Sequence, residues 1–174
     1  MQYRRFGRTN LNVPVLSLGG MRFQKSWDQL DFSEISYEEQ NKLENILNLA
    51  NKYGLSHVET AKYYGTSEVQ LGMGFKNTNK IPNIIQTKIP PNSDPTIFEK
   101  DVLTSIEKLK VKKIDLLAIH GINTKEHLHQ AVRDGGCIDI LRNFQKENLI
   151  GFIGFSTHGK STLIEKAISS NLFD

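Results

Sequence analysis

A chain of 174 residues suits one domain, and 38% hydrophobic with 24% charged residues is ordinary for a globular protein, so we do not expect disorder. The net charge of +3 gives no strong case for binding nucleic acid or an anionic membrane, and no segment is apolar enough to span a bilayer. Cys137 is the only cysteine, which excludes an internal disulfide framework, and no apolar secretory signal follows Met1, so we expect a cytoplasmic protein.

The first half of the chain predicts two strands, each followed by a helix. Residues 15–18 form a short apolar run closed by two glycines, which predicts the first strand. A long polar loop follows, and Ser36 with Glu39 then forms a capping-box signature that opens a helix. Residues 55–60 predict the second strand, and residues 67–74 a short helix.

The second half continues the alternation of strands and helices. Residues 84–88 predict a third strand, after which Asp94 caps a helix and Pro95 suits its first turn. The run from 114 to 119 is apolar on both faces, as buried parallel strands are. The remaining predicted elements are helices at 124–132 and 138–146, a fifth strand at 149–155 and a last helix at 161–169.

Five strands joined by helices predict an α/β fold with a parallel sheet, either doubly wound or part of a (βα)8 barrel. In both architectures the reactive groups lie at the carboxyl ends of the strands. Glu59, Lys88 and His120 each end a predicted strand, and Tyr64 lies in the loop after Glu59. Each of these residues alone suits a surface or loop position, whereas corresponding places on three strands favour a common site.

These four side chains fit the reduction of a carbonyl group by hydride. A tyrosine such as Tyr64 supplies the proton that the developing alkoxide needs, provided that its pKa is lowered from about 10 toward neutrality. The ammonium of Lys88 would lower that pKa, and the carboxylate of Glu59 would keep the ammonium charged and oriented. The imidazole of His120 would hold the substrate oxygen by a hydrogen bond.

Several motifs, taken together, resemble those of the aldo-keto reductases, a family of (βα)8-barrel, NADPH-dependent carbonyl reductases. The matching stretches, in chain order, are Arg5-Phe6-Gly7-Arg8-Thr9, Leu18-Gly19-Gly20-Met21, the segment 59–72, Thr87-Lys88, Ile119-His120-Gly121 and Ile153-Gly154-Phe155-Ser156. The resemblance implies an NADP(H) cofactor, a small carbonyl or alcohol substrate, and an amino-terminal β-hairpin before about five βα units.

The same resemblance assigns roles to individual residues. It implies Tyr64 as the acid, tuned by Lys88 and Glu59, with His120 orienting the substrate. It also places Gly20 and Met21 beside the cofactor, and Ser156 with Thr157 at the amide of the nicotinamide. No residue is expected to bind a metal, because His127 and His129 are two positions apart on a predicted helix and face different ways.

Two positions depart from the family pattern. The family carboxylate is an aspartate, whereas this chain has Glu59, which is longer by one methylene and meets Lys88 from a different angle. The family usually has asparagine after the serine, whereas this chain has Thr157, whose hydroxyl cannot repeat both hydrogen bonds of an amide.

A second motif predicts a different function. Residues Gly154 to Ser161 match the phosphate-binding loop of many nucleotide hydrolases and lie between a predicted strand and a predicted helix. In that alternative, backbone amides surround the phosphates, Lys160 binds the outer phosphate and Ser161 binds magnesium. Against it, the loop interior has no additional glycine, and too few residues follow for a strand carrying a magnesium-binding aspartate.

A complete (βα)8 barrel has eight strands and about 250 residues. With five predicted strands, residues 1–174 are expected to be an incomplete barrel domain, the amino-terminal part of a reductase from an incomplete or interrupted gene and inactive alone. The first and last strands would then have unpaired edges. A noncatalytic protein that uses those edges to bind another copy or chain is therefore the alternative to a reductase.

Overall fold

The computed structural model describes residues 1–174 and contains seven strands and six α-helices. The strands are β1 (Tyr3–Phe6), β2 (Leu11–Pro14), β3 (Leu18–Gly19), β4 (His57–Glu59), β5 (Ile84–Ile89), β6 (Ile114–Ile119) and β7 (Ile150–Phe155). The α-helices are α1 (Tyr37–Lys52), α2 (Ser67–Thr78), α3 (Pro95–Leu109), α4 (Lys125–Val132), α5 (Cys137–Lys146) and α6 (Ser161–Ser169). None of the helices is both long and apolar enough to cross a membrane.

The strands form an antiparallel hairpin, β1–β2, and a parallel sheet in the order β3–β4–β5–β6–β7. Neighbours in the sheet are neighbours in the chain, whereas a doubly wound sheet reverses its strand order at a switch point. The partial (βα)8 barrel and its amino-terminal hairpin are therefore confirmed, and the doubly wound alternative was wrong.

A side chain caps the amino-terminal end of three of the six α-helices, and the sequence predicts two of these caps, Ser36 and Asp94. The Ser36 hydroxyl accepts a hydrogen bond from the Glu39 amide (3.3 Å) and donates one to the Glu39 carboxylate (2.7 Å) at the start of α1. Asp94 caps α3 by accepting from the Thr96 amide (2.9 Å), and Thr124 caps α4. These bonds satisfy amides that have no partner inside the helix.

Two boundaries differ from the sequence-based expectation. Strand β3 has only two residues, and the apolar side chains of Val15 and Leu16 before it are exposed. Helix α2 continues past Gly74 to Thr78, because Gly74 lies against α1: a Cβ atom there would be 2.6 Å from Leu47 Cδ1. This glycine permits close packing of two helices and does not end one.

The two faces of the sheet have different environments. One face packs against the helices in the main core, whose largest fully buried side chains include Leu43, Phe75, Phe98, Leu117 and Ile119. On the other face the hairpin packs against the sheet in a small cluster of Val13, Ile84 and Leu116. The face that would line a closed barrel is therefore covered only in part.

The expectation of unpaired edges needs one correction. At the β7 edge, the Asp174 amide donates to the Ile153 carbonyl (2.8 Å), and the Ile153 amide donates to the Asp174 carboxylate (2.8 Å). Arg142 holds the same carboxylate through contacts of 2.9 and 3.1 Å. The last residues of the chain thus cover part of the β7 edge.

Candidate active site

The four residues that follow from the strand-end pattern lie close together at one rim of the sheet. Glu59 is the last residue of β4, Lys88 is next to the last of β5, and His120 follows β6 directly. Lys88 Nζ lies 4.5 Å from the Tyr64 ring centroid and contacts the Glu59 carboxylate. The Tyr64 and His120 ring centroids are 6.0 Å apart, with the rings perpendicular.

The turn that carries Tyr64 is held by a loop from a distant part of the chain. Gly65 has φ +52°, and a Cβ atom there would lie only 1.7 Å from the Ser26 carbonyl oxygen. The Gln29 side-chain amide donates to the backbone carbonyls of Lys62 (2.9 Å) and Gly65 (3.0 Å). The polar loop before α1 therefore packs directly on the Tyr64 turn, which a residue larger than glycine at position 65 would prevent.

Two opposing effects act on the ammonium of Lys88. The residue is 5% exposed, and burial lowers the pKa of Lys88 to about 8. Contact with the Glu59 carboxylate acts in the opposite direction, because an adjacent negative charge favours the protonated form. The ammonium also donates a hydrogen bond to the Thr60 carbonyl oxygen (2.9 Å).

The tyrosine differs from the expected tuning. Burial raises the pKa of Tyr64 above its usual value, whereas the sequence-based expectation was a decrease caused by Lys88. The ammonium of Lys88 contacts Glu59 and Thr60 and faces the ring of Tyr64, and it makes no hydrogen bond to the Tyr64 hydroxyl. Tyr64 therefore carries its proton at neutral pH.

His120 is neutral at pH 7. Burial, together with the positive charges of Lys88 and His158, lowers the pKa of His120 to about 4. The Nδ1 atom is buried and makes no hydrogen bond. The ring lies between Tyr64 and Tyr63, whose ring centroid is 5.8 Å from that of His120. A neutral imidazole has one N–H donor.

The residues expected beside the cofactor fall into two groups. Gly20 is buried, and a Cβ atom there would lie 2.7 Å from Ser67 Oγ and 3.0 Å from Thr60 Oγ1, so packing within the protein already explains this glycine. Met21 follows it in a short 3₁₀ turn and is partly exposed.

Ser156 keeps a free hydroxyl proton, whereas Thr157 does not. Ser156 Oγ accepts a hydrogen bond from the Gly121 amide (3.1 Å), and its own proton has no acceptor within the protein. The Thr157 hydroxyl donates to the Ile122 carbonyl (2.6 Å) and accepts from the Gly159 amide (2.8 Å). Its proton is therefore already bound within the protein.

The phosphate-loop alternative is not supported by this geometry. The His158 amide donates to Asn123 Oδ1 (2.7 Å), and the Gly159 amide donates to Thr157, so these loop amides are not free to surround a phosphate.

The structure contains no group of three or more His, Cys, Asp or Glu side chains that could bind a metal ion. His127 instead lies with Nδ1 2.9 Å from the Gly121 carbonyl oxygen.

Two residues near the site have no counterpart in the strand-end pattern. Tyr63 contacts His120, and Glu68 is a carboxylate that is 2% exposed in the first turn of α2. The aromatic pair Tyr63-Tyr64 was the only sequence signal for the first. For Glu68 the sequence carries no signal, because an acidic residue in the first turn of a helix is ordinary.

Comparison with known proteins gives a consistent result. The model of the family described as "Aldo/keto reductase family" matches residues 15–172. An aldo-keto reductase of Strobilurus tenacellus is 30% identical over 117 residues, which is 64% of this chain and 33% of that protein.

Solved structures are similar over nearly the whole chain. An aldo-keto reductase of Bacillus halodurans in its holo form has a TM-score of 0.75 and 20% identity, covering 97% of this chain and 54% of that one. A thermostable aldo-keto reductase solved with the inhibitor epalrestat has a TM-score of 0.72 and 25% identity, covering 97% and 58%. The chain therefore spans just over half the length of these solved relatives.

Proposed function

The chain belongs to the aldo/keto reductase family, a family of oxidoreductases, and from that premise we propose that it carries the proton-donating site of an NADP(H)-dependent carbonyl reductase. The observation that carries this proposal is the meeting of Tyr64, Lys88, Glu59 and His120 at the carboxyl ends of neighbouring strands. Small aldehydes or ketones, or the corresponding alcohols, are the proposed substrates.

Each side chain has a role in the proposed reaction. His120, neutral at pH 7, donates an N–H to the carbonyl oxygen of the substrate, and the hydroxyl of Tyr64 gives its proton to the developing alkoxide. The nearby ammonium of Lys88 stabilises the phenolate that remains, and Glu59 keeps the ammonium charged. Ser156 would hold the amide of a nicotinamide, which supplies the hydride when bound.

The variant Tyr64→Phe tests whether Tyr64 is the proton donor. Because the chain spans about half of its solved relatives, the assay uses a chimera completed with the remaining strand–helix units of the thermostable relative. We expect Tyr64→Phe to lower aldehyde reduction at least about 100-fold, as loss of a general acid does, while NADPH affinity by fluorescence titration stays the same.

Tyr63→Phe is the matched control, because Tyr63 also contacts His120. We expect it to keep most of the turnover. Equal turnover in the Tyr64 variant and the unmodified chimera would remove Tyr64 from the acid role, and absence of NADPH binding by the chimera would contradict the proposed cofactor.

A second candidate function is association with another copy of the chain without catalysis. The uncovered face of the sheet opens into a cavity of about 370 Å³ with a mostly apolar lining that includes Phe6, Phe152, Phe155, Ile168 and Phe173. Light scattering combined with NADPH titration of the 174-residue chain separates the two functions: a defined oligomer without cofactor affinity supports association.

A further inference from the structure

Glu68 is a buried carboxylate that the proposed reaction does not use. It is 2% exposed and makes no salt bridge, although buried acidic side chains are usually paired with a cation. Its two oxygens each accept one hydroxyl hydrogen bond, from Thr87 Oγ1 (2.6 Å) and from Ser105 Oγ (3.0 Å). One carboxylate therefore joins α2 to β5 and to α3.

Nearby groups partly offset the unfavourable burial of the Glu68 carboxylate. Burial raises the pKa of Glu68, and the two hydroxyl donors together with the more distant charges of Lys108 and Lys62 oppose that rise. The first turn of a helix also favours negative charge. Apolar residues that fill the same space commonly stabilise a fold at least as well as a buried charged group does. The stability of the fold alone is therefore a weak explanation for this carboxylate.

The elements that Glu68 joins are those that carry the proton-donating pair. On one side, the Ser67 amide donates to the Tyr64 carbonyl (2.9 Å), so the start of α2 is continuous with the Tyr64 turn. On the other side, Thr87 precedes Lys88 in β5, and their side chains lie on opposite faces of the strand. The bond between Glu68 and Thr87 therefore holds the Tyr64 turn against the strand that carries Lys88.

We propose that Glu68 is a positioning residue of the reduction site, which sets the separation between Tyr64 and Lys88 through its hydrogen bond to Thr87. The bond to Ser105 anchors α3 and contributes to stability only. This inference rests on the proposed function, and it assigns Glu68 a role without contact to substrate or cofactor.

The two hydroxyl partners provide a matched pair of variants. Thr87→Val removes the hydrogen bond that links Glu68 to the strand of Lys88, and Ser105→Ala removes the hydrogen bond that links Glu68 to α3. Each variant therefore deletes one buried hydrogen bond to the same carboxylate. Thr104→Val is the control, because Thr104 is only partly buried and donates only to the backbone of its own helix. NMR titration of Lys88 and Tyr64 in the 174-residue chain, with melting temperatures for each variant, measures the site and the stability separately.

We expect Thr87→Val to raise the proton affinity of Lys88 by at least about threefold, because a looser contact admits water to a desolvated ammonium. Ser105→Ala should change the proton affinity of Lys88 by less than about threefold. It should lower the melting temperature by about as much as Thr87→Val does, because each variant removes one buried hydrogen bond. Equal shifts of the Lys88 titration in both variants, or no shift in either with lowered melting temperatures, would overturn the proposal.

If Thr87→Val does not fold, Thr87→Ala replaces it under the same criteria, because it also removes the hydroxyl that donates to Glu68 and leaves the Ser105 bond in place. No turnover is measured in these titrations. A failure of the Glu68 proposal is therefore distinct from a failure of the proposed reduction, which the Tyr64 variant in the completed chimera tests.

Discussion

Glu59 and Lys88 form the pair in which the chain departs from its family pattern, and the departure has an electrostatic consequence. The longer Glu59 side chain reaches the ammonium of Lys88, which burial alone would move toward deprotonation near pH 8. The ammonium then binds Glu59 and Thr60 and makes no hydrogen bond to the Tyr64 hydroxyl. At the scale of single residues, Glu59 therefore favours the charged form of Lys88.

Glu59→Gln tests this balance. We expect the pKa of Lys88 to fall by at least about 1 unit, because the adjacent carboxylate no longer opposes the effect of burial. The measurement is an NMR titration of Lys88, with Lys88→Met to assign the signal.

The exposed pair Glu38 and Lys42 serves as the control, since Glu38 also raises the pKa of Lys42. Glu38→Gln should change the Lys42 titration much less, because solvent screens an exposed pair. An unchanged Lys88 titration in Glu59→Gln would show that Glu59 does not hold the charge.

At the scale of elements, the Tyr64 turn depends on the loop between β3 and α1. That loop reads only as a long polar segment in the sequence, yet its Ser26 carbonyl and Gln29 amide contact the turn. Because Gly65 leaves room for this contact, the position of Tyr64 depends on a segment far from it in the chain.

Gly65→Ala tests the contact. Gly65 and Gly7 both have φ +52°, but nothing lies within 4 Å of a Cβ atom at Gly7. We expect Gly7→Ala to lower the free energy of unfolding by roughly 1–2 kcal/mol for the left-handed backbone alone. Gly65→Ala should lower it further, because the loop must also move. Chemical denaturation of both variants measures the difference, and equal losses would mean that the loop contact contributes nothing.

At the scale of the whole molecule, the face that a closed barrel would bury is covered only in part. Asp174 covers part of the β7 edge, whereas the apolar side chains of Val15 and Leu16, just before β3, are exposed. The cavity between hairpin, sheet and α6 has a mostly apolar lining. An exposed apolar surface of this kind favours association.

Ile168→Glu tests association through this face. Ile168 lines the cavity, whereas Ile97, exposed on α3, does not. If the chain self-associates through the cavity, light scattering over a concentration series should show a lower molar mass for Ile168→Glu than for Ile97→Glu, because a buried charge opposes association. The same molar mass for both variants would contradict association through the cavity.

Local patterns in the sequence were sufficient to predict much of the fold. The helix caps at Ser36 and Asp94 and the apolar run of β6 follow from short-range hydrogen bonding and periodicity, and the structure has them where the sequence predicts them. The strand-end pattern likewise brought Tyr64, Lys88 and His120 to one rim, because parallel strands place their carboxyl ends together.

Only the tertiary structure decided how those groups interact. Lys88 binds Thr60, Ser26 contacts Gly65, and Glu68 accepts a hydrogen bond from Thr87. Each of these contacts joins residues that are distant in the chain. Burial in the folded chain likewise raises the pKa of Tyr64. Such contacts depend on strand register and loop packing to within about an ångström, which local periodicity does not encode. The sequence by itself therefore determined which residues meet at the rim, and their packing determined how the pKa values of Tyr64, Lys88 and His120 are shifted.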